Sequence, residues 1–417
     1  MQFARLTVVF RMRPAGISAA DPSVGRLTHV VCALWLAGVA MRMTILAMPP
    51  VIPLVHDELK MSETQVGLLI GLPLALFALA AVPGSLLIAR IGASRAVVLG
   101  MVIAALASAS RGGAIDVTTL YAASIATGFG VAIMQPGMPT LVRAWLPGRV
   151  GLGTVAYTSG MLMGATSAPS LTIPYVLPLV GGSWRLDLAV WGLPAILLAP
   201  LFYFFSPAAD EHAANGIAGG GRWWPDWRNP LVWILGIGLG SNNATYFSTN
   251  AFLGEYLASQ DTPGLLGPAL AWLNGFQVVA LFILVPLANR MQRKAWPFLI
   301  FGPILFASFL VLIFLPSRLG IISAAALIGF GTAITLTATL ALPALLSLPA
   351  DVPRTAAGMF TISYTLAIII PTISGALWDS TAKPWTVWLP ICLSTVVMTA
   401  LGIAATRYRP ATVAPSP

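Results

Sequence analysis

Charged residues are scarce in this chain, and their scarcity excludes most classes of soluble protein. Asp, Glu, Lys and Arg make up 8% of the 417 residues, whereas hydrophobic residues make up 58%. Soluble domains carry about 25% charged residues. Apolar runs of about 20 residues recur along the chain, each long enough to cross a ~30 Å hydrocarbon layer. The runs are continuous rather than alternating in polarity, which excludes a β-barrel. We therefore predict a multi-pass α-helical membrane protein.

Residues that bind metals or perform covalent chemistry are equally sparse. The two cysteines, Cys32 and Cys392, lie inside apolar runs, so neither a disulfide framework nor a metal site is predicted. The three histidines are far apart and show no metal-ligand spacing. A glycine-rich loop ending in Lys-Ser/Thr is missing, which argues against a built-in ATPase. We expect no metal and no cofactor.

Twelve apolar segments are predicted as membrane spans, six on each side of a linker. They run roughly over 27–51, 63–89, 95–112, 117–143, 152–180, 184–205, 229–257, 264–288, 296–315, 319–347, 355–379 and 385–406. The linker contains three consecutive glycines, 219–221, followed by tryptophans suited to a membrane interface. We predict a tail at 1–26, a six-helix bundle at 27–205, a linker at 206–228, a second bundle at 229–406 and a tail at 407–417.

Positive charge is distributed unequally between the two sides of this predicted topology. With both termini in the cytosol, sixteen of the 22 Lys and Arg residues fall inside, five outside and one, Arg42, within the membrane. The five outside are Lys60, Arg111, Arg185, Arg318 and Lys383. This split follows the positive-inside rule. The net charge of +9 therefore reflects orientation in a bacterial inner membrane, and nucleic acid is not an expected partner.

Short basic turns recur at matching places in the two halves. Arg90 and Gly92 follow span two, and Arg290 begins a basic turn after span eight. Likewise, a basic residue four positions before a glycine follows both span four and span ten (Arg149 and Arg354). The repeat indicates a duplicated six-span unit, a known transporter plan with substrate bound between the halves.

These features resemble the major facilitator superfamily. Within it, the stretches 41–44, 139–152 and 241–246 resemble the cyanate permease and 2-nitroimidazole transporter family. The resemblance implies an all-α membrane fold of twelve helices in two pseudo-symmetric six-helix bundles. It also implies alternating access around a small-molecule site, a monomeric protein and no enzymatic activity.

Arg42 is the most informative single residue. It lies about 15 residues into span one, ~22 Å along the helix at 1.5 Å per residue. A guanidinium at that depth costs several kcal/mol unless it faces a cavity or a partner, and no acid is placed near the middle of a span. We predict that Arg42 binds an anionic or strongly polar substrate, with Gly38 leaving room beside it. The alternatives are bonding to backbone carbonyls, or reaching outward from a misplaced span.

Span seven occupies the place of span one in the second half. At the offset of 200 residues, Arg42 corresponds to Asn242, so the two should lie at similar depth across the pathway. Asn242 and Tyr246 share a helix face, with Asn243 beside them. We predict hydrogen bonds from these groups to the substrate; the alternative is bonding between helices. Further candidates are single polar groups at membrane depth, namely Gln135, Tyr157, Gln277 and Tyr364.

The function predicted is transport of a small anion or small polar nitrogen compound, cyanate-like, nitroimidazole-like or a small carboxylate. A second hypothesis is an exporter of aromatic or drug-like molecules, with Trp35, Trp272 and methionines lining the cavity. A membrane-embedded enzyme would need a nucleophile-plus-base arrangement, which the scattered polar residues do not repeat. The duplicated halves favour a transporter over a receptor or channel. Since no carboxylate or histidine is placed mid-span, we expect exchange against another anion, downhill flux, or proton entry with the substrate itself in its neutral form.

Overall fold

The computed structural model describes residues 24–61, 63–207, 223–287 and 289–409. Across these ranges the regular structure is helical throughout, and none of it is β-strand. Most of both predicted tails and of the predicted linker, including the glycines at 219–221, lies outside the described residues.

Within the described ranges, twelve long helices form the fold, and each coincides with one predicted span. They are α1 (Val24–Leu46), α2 (Glu63–Ile91), α3 (Ala93–Ser110), α4 (Val117–Trp145), α5 (Val150–Leu171), α6 (Trp184–Phe205), α7 (Pro230–Ser259), α8 (Leu266–Leu287), α9 (Trp296–Phe314), α10 (Arg318–Leu340), α11 (Val352–Thr381) and α12 (Leu389–Arg407). Nine helical segments of the described chain are long and apolar enough to cross a membrane.

Three helices end earlier than the sequence predicts. Helix α10 ends at Leu340, and a short helix (Leu342–Leu346) covers the rest of the predicted span 319–347. Helix α1 ends at Leu46, and a short 3₁₀ turn (Pro49–Val51) and a short helix (Ile52–Leu59) follow it. Proline lacks an N–H donor and clashes with the preceding turn, so Pro49 and Pro50 break the helix. Helix α5 ends at Leu171 and continues as a π-helical turn (Thr172–Val176) that contains Pro174. The predicted spans at 27–51 and 152–180 are therefore irregular at the same end of the molecule.

Polar side chains set the starts of several helices. The Asp116 carboxylate accepts a hydrogen bond from the Thr119 backbone N–H at 2.7 Å, and the Thr119 hydroxyl accepts one from the Asp116 N–H at 3.2 Å. This reciprocal capping box begins α4. The Ser317 hydroxyl caps α10 by accepting from the Gly320 N–H at 3.1 Å.

The two halves repeat the same helix pairings. In the first half α1 packs on α5, α2 on α4, and α3 on both α4 and α6. In the second half α7 packs on α11, α8 on α10, and α9 on both α10 and α12. Each pairing in one half has its counterpart six helices later, so the predicted duplication is confirmed as structural pseudo-symmetry. The halves meet where α11 packs on α2 and α4, and where α5 packs on α8 and α10.

The packing differs between the two ends of the molecule. At the end where α1 begins and α12 ends, here called the terminal end, one core joins both halves. It contains Trp145 and Leu146 at the end of α4 together with Leu342 and Leu346. At the opposite, distal end each half has its own core, one around Trp184 and the other containing Trp388. The halves are therefore closed against each other at the terminal end and separate at the distal end.

Candidate functional site

A cavity of about 430 Å³ lies between the two halves. Helices α1, α2 and α5 line it on one side, and α7, α8 and α10 on the other. Leu46, Pro49 and Ile52 carry its wall to the distal end of the first half. Its volume falls in the range of about 300–1,000 Å³ that is typical of small-molecule sites.

The charged side chains that line this cavity are both cationic. They are Arg42 of α1 and Arg111, which follows α3 directly. Of the lining residues that the structure describes, none is an Asp or a Glu. The rest of the wall is mostly apolar, with Phe77, Phe247 and Met161 among its larger side chains. The described lining therefore combines positive charge with apolar walls.

Arg42 is half-buried at the floor of the cavity. It also lines a smaller void of about 20 Å³ on the side of the terminal end. The side chains of Tyr246 and Tyr364 interact electrostatically with its guanidinium. Within the described ranges, neither a carboxylate nor a backbone carbonyl forms a hydrogen bond or ion pair with Arg42. This geometry agrees with the prediction that Arg42 faces a cavity and disagrees with the carbonyl-bonded alternative.

Three side chains predicted as weaker candidates surround the small void beside Arg42. Gln135, Tyr157 and Tyr364 are each at most 3% exposed. The Gln135 Nε2 and the Tyr157 hydroxyl have no hydrogen-bond partner in the described structure. A buried donor without a partner costs about 1–3 kcal/mol, and an acceptor group bound here would remove that cost. The void itself holds about one water-sized group.

The two asparagines of α7 are already hydrogen-bonded within the protein. The Thr335 hydroxyl donates to Asn242 Oδ1 at 2.6 Å, and Asn242 Nδ2 donates to the Thr332 carbonyl at 3.4 Å. Asn243 Nδ2 donates to the Ser363 hydroxyl at 2.9 Å. These bonds join α7 to α10 and α11. Both asparagines also line the cavity, so they hold the helices together at its wall.

Tyr246 belongs to a similar network with α8. Its hydroxyl donates to Asn274 Oδ1 at 2.7 Å, and Gln277 Nε2 donates to the same oxygen at 3.4 Å. Asn274 Nδ2 is in turn held by the Leu270 carbonyl at 2.9 Å. Tyr246 and Gln277 therefore reach the cavity as members of a preorganised cluster.

The structure gathers all the residues predicted for the site into one region. The residues that line the main cavity are Arg42, Asn242, Asn243, Tyr246 and Gln277, and those around the small void are Arg42, Asn243, Gln135, Tyr157 and Tyr364. Arg42 and Asn243 belong to both. Trp35 and Trp272, expected to line the cavity of an aromatic exporter, are not among the lining residues.

The role predicted for Gly38 is wrong. Rather than leaving room beside Arg42, Gly38 packs directly against the Tyr157 backbone carbonyl of α5. Gly160 and Gly164 of α5 approach the α1 backbone in the same way, at Trp35 and Val39. Small residues let helix backbones come this close. The three glycines hold α1 against α5 and bring Tyr157 beside Arg42.

Arg111 and Asp187 lie in environments that the sequence did not indicate. Arg111, expected outside the membrane, is 2% exposed and lines the cavity. Its burial depends on a tertiary contact with the Thr44 carbonyl, which the glycines after it gave no reason to expect. Asp187 is fully buried in the first turn of α6, and neither carboxyl oxygen has a partner in the described structure. The sequence signal for this burial was the position of Asp187 between Trp184 and Trp191.

Comparison with known proteins identifies the family. The sequence profile of the Major Facilitator Superfamily matches residues 32–372. The chain belongs to this superfamily. The superfamily's fold contains twelve transmembrane helices in two halves, so the predicted fold class is confirmed. Its members are transporters, which also confirms that the protein is not an enzyme.

Two curated relatives and one solved structure illustrate the relationship. The 2-nitroimidazole transporter of Escherichia coli (strain K12) is 24% identical and is covered over 95% of its length by 91% of this chain. The cyanate transport protein CynX of the same strain is 24% identical, with 97% of its length and 90% of this chain covered. The superfamily transporter FucP in its outward conformation matches with a TM-score of 0.71 at 12% identity, over 91% of this chain and 98% of FucP. The resemblance seen in the sequence is thus confirmed, and the protein is a multi-pass membrane transporter of a small molecule.

Proposed function

We propose that the transported molecule is a small organic anion, or a polar nitrogen compound that offers several acceptor oxygens, and that Arg42 recognises it. One observation supports this most strongly. Arg42 faces a cavity between the halves in which the described lining holds no acid, and the unpartnered donors of Gln135 and Tyr157 lie beside it. A site with cationic donors and no acid favours a ligand that brings negative charge or acceptor atoms.

The chemistry of the guanidinium fits this role. Its planar fork donates two parallel hydrogen bonds to carboxylate-like groups, and charge-assisted bonds are about twice as strong as neutral ones. In a cavity with apolar walls, such bonds are screened less than in water. Asn243 and Tyr246, fixed by their bonds to Ser363 and Asn274, would then orient the rest of the substrate.

The names of the relatives agree with this substrate chemistry. Cyanate is a small anion, and the nitro group of a 2-nitroimidazole carries two acceptor oxygens. Both can accept hydrogen bonds from one guanidinium, although only the first carries a full charge. We infer that the protein accepts molecules that share this acceptor pattern and an apolar or planar body.

The orientation proposed for the protein follows from charge. We infer a cell membrane location with the terminal end in the cytosol, since sixteen of the 22 Lys and Arg residues belong to that side in the predicted topology. On this assignment the cavity faces the outside, and transport requires the shared core around Trp145 and Leu346 to separate.

We propose that the monomer is the working unit, because the cavity is formed within one chain.

An exporter of aromatic compounds is the second candidate, favoured by the apolar walls. Phe77, Phe247 and Met48 line the cavity and would pack against a ring. A thermal-shift screen of the purified protein separates the two candidates. A panel of small carboxylates and nitro compounds should raise the melting temperature, and Arg42→Gln should abolish the rise. Stabilisation by neutral aromatic compounds that Arg42→Gln leaves unchanged would support the exporter instead.

A further inference from the structure

Arg111 is a second buried cation in the same cavity. It lies in the short turn Arg111–Gly113 that follows α3, and it is 2% exposed. Its Nη2 donates to the Thr44 carbonyl of α1 and to the Ser108 hydroxyl, and its Nε donates to the Ser108 carbonyl at 3.4 Å. In the part of the chain that the structure describes, no carboxylate lies within ion-pair distance of it.

The contact with Thr44 explains how Arg111 is held but supplies no counter-ion for its charge. Thr44 is within the last turn of α1, where the backbone carbonyl oxygens accept no hydrogen bond from the helix itself. A basic side chain such as arginine often caps such an end. A carbonyl dipole offers only partial negative charge. Burial of a full charge without a counter-ion is costly, and the cavity gives an anion access to this one.

The two arginines face the cavity at different depths. Arg42 also lines the small void with Gln135 and Tyr364 on the terminal side, whereas Arg111 contributes to the main cavity alone. Ile45 and Met161 belong to the apolar wall of the same cavity. A ligand that spans the cavity therefore meets one cation at the floor, apolar side chains, and a second cation nearer the distal end.

We propose that Arg111 forms a second anion-binding site and that the preferred substrates are organic dianions, with two carboxylate-like groups separated by an apolar spacer. One anionic group binds at Arg42 and the other at Arg111. This inference rests on the proposed role of Arg42. A small inorganic anion would satisfy only one of the two cations and would fill little of the 430 Å³ volume.

Isothermal titration calorimetry on the purified full-length protein tests this assignment. The probes are straight-chain dicarboxylates of increasing spacer length and the monocarboxylate matched to each. We expect the best dicarboxylate to bind at least about tenfold more tightly than its matched monocarboxylate, equivalent to ~1.4 kcal/mol. In Arg111→Gln, whose amide can still donate to the Thr44 carbonyl, the ratio of the two affinities should fall to about one.

Matched variants keep the test decisive. Arg185→Gln removes an arginine at the distal end that pairs with Glu58 at 2.9 Å and does not line the cavity, and it should retain the preference. If Arg111→Gln fails to fold, Arg111→Lys, which keeps the charge, should still prefer dicarboxylates. Equal binding of both ligand types by the wild-type protein or by a folded Arg111→Lys overturns the second site. If both ligand types bind equally but Arg42→Gln abolishes their binding, the second site is wrong and the proposed function stands. Carboxylate binding that Arg42→Gln leaves unaffected contradicts the proposed function itself.

Discussion

Gly38 of α1 lies against the backbone carbonyl of Tyr157 in α5, so close that no side chain fits between them. The contact is one of three glycine contacts that bring α1 and α5 together. Because Tyr157 borders the void beside Arg42, the position of the proposed anion site depends on this helix pair. A substitution that separates the helices would therefore disturb both stability and binding.

The first prediction concerns Gly38→Ala. The added methyl group overlaps the Tyr157 carbonyl, so the helices must shift, and we expect a loss of stability of about 1–3 kcal/mol. The matched control is Gly275→Ala in α8, where a methyl group would meet no neighbouring atom and alanine favours a helix. Melting temperatures in detergent measure both. A Gly38→Ala protein as stable as Gly275→Ala would show that the close approach of α1 and α5 is not required.

The second prediction concerns pH and Glu58. The Trp184 indole N–H at 2.6 Å, followed by Arg185, stabilises the Glu58 carboxylate and lowers its pKa below the usual value. A lowered pKa in the folded state adds stability above the unfolded pKa of about 4.3, and that stability is lost as pH falls through the folded pKa. Glu58→Gln should therefore melt below wild type at neutral pH, with the difference disappearing in acid.

The control for this comparison is Asp57→Asn. The Asp57 side chain is 81% exposed, and its ion pair in the described structure is with His56 at 3.4 Å. It should show a smaller effect at neutral pH. A difference between Glu58→Gln and wild type that stays constant down to acidic pH would contradict the assigned ion pair.

The third prediction concerns topology. Gly148 lies between α4 and α5 at the terminal end, and Thr262 lies between α7 and α8 at the distal end. Three helices separate the two positions, so cysteines introduced there should react with an impermeant thiol reagent from opposite sides, Gly148 from the cytosol. The reporter background replaces both native cysteines, Cys32 and Cys392. Reaction of both sites from the same side would refute the twelve-helix path.

The fourth prediction concerns energy coupling. The described cavity lining contains neither a carboxylate nor a histidine that could carry a proton with the substrate. We expect the protein in liposomes to exchange labelled for unlabelled substrate without a pH gradient. His29→Gln and Asp187→Asn should leave this exchange intact, since neither residue lines the cavity. A strict requirement for an inward proton gradient, lost in Asp187→Asn, would assign the buried Asp187 to proton transport instead.

Much of the fold could be predicted from the sequence because membrane-spanning helices are recognisable as long apolar runs. The twelve spans, their order and their repeat follow from hydropathy and charge alone. The breaks after Leu46 and Leu171 were less predictable, since apolar residues continue past both points and only the prolines signal an interruption.

The site was predictable in part. Arg42 and Asn242 stand out because a charge or amide at membrane depth is costly, and the offset between the halves relates them. The partners of Asn242 and Tyr246 were not predictable, since Thr335 and Asn274 come from helices whose rotation the sequence does not fix. Arg111 was misplaced for the same reason. Its burial is created by the packing of α3 against α1, and no local pattern encodes that contact.

The central claim is that Arg42 binds the substrate's negative charge, and uptake by purified variants in liposomes tests it most directly. Wild type, Arg42→Ala, Arg42→Lys and the Arg185→Gln control are reconstituted at equal density after size-exclusion profiles show that each is folded. We predict that Arg42→Ala abolishes uptake and that Arg42→Lys retains little, because lysine keeps the charge but lacks the planar fork. Arg185→Gln should transport like wild type. Near-normal uptake by Arg42→Ala would contradict the account and leave Arg42 with a structural role.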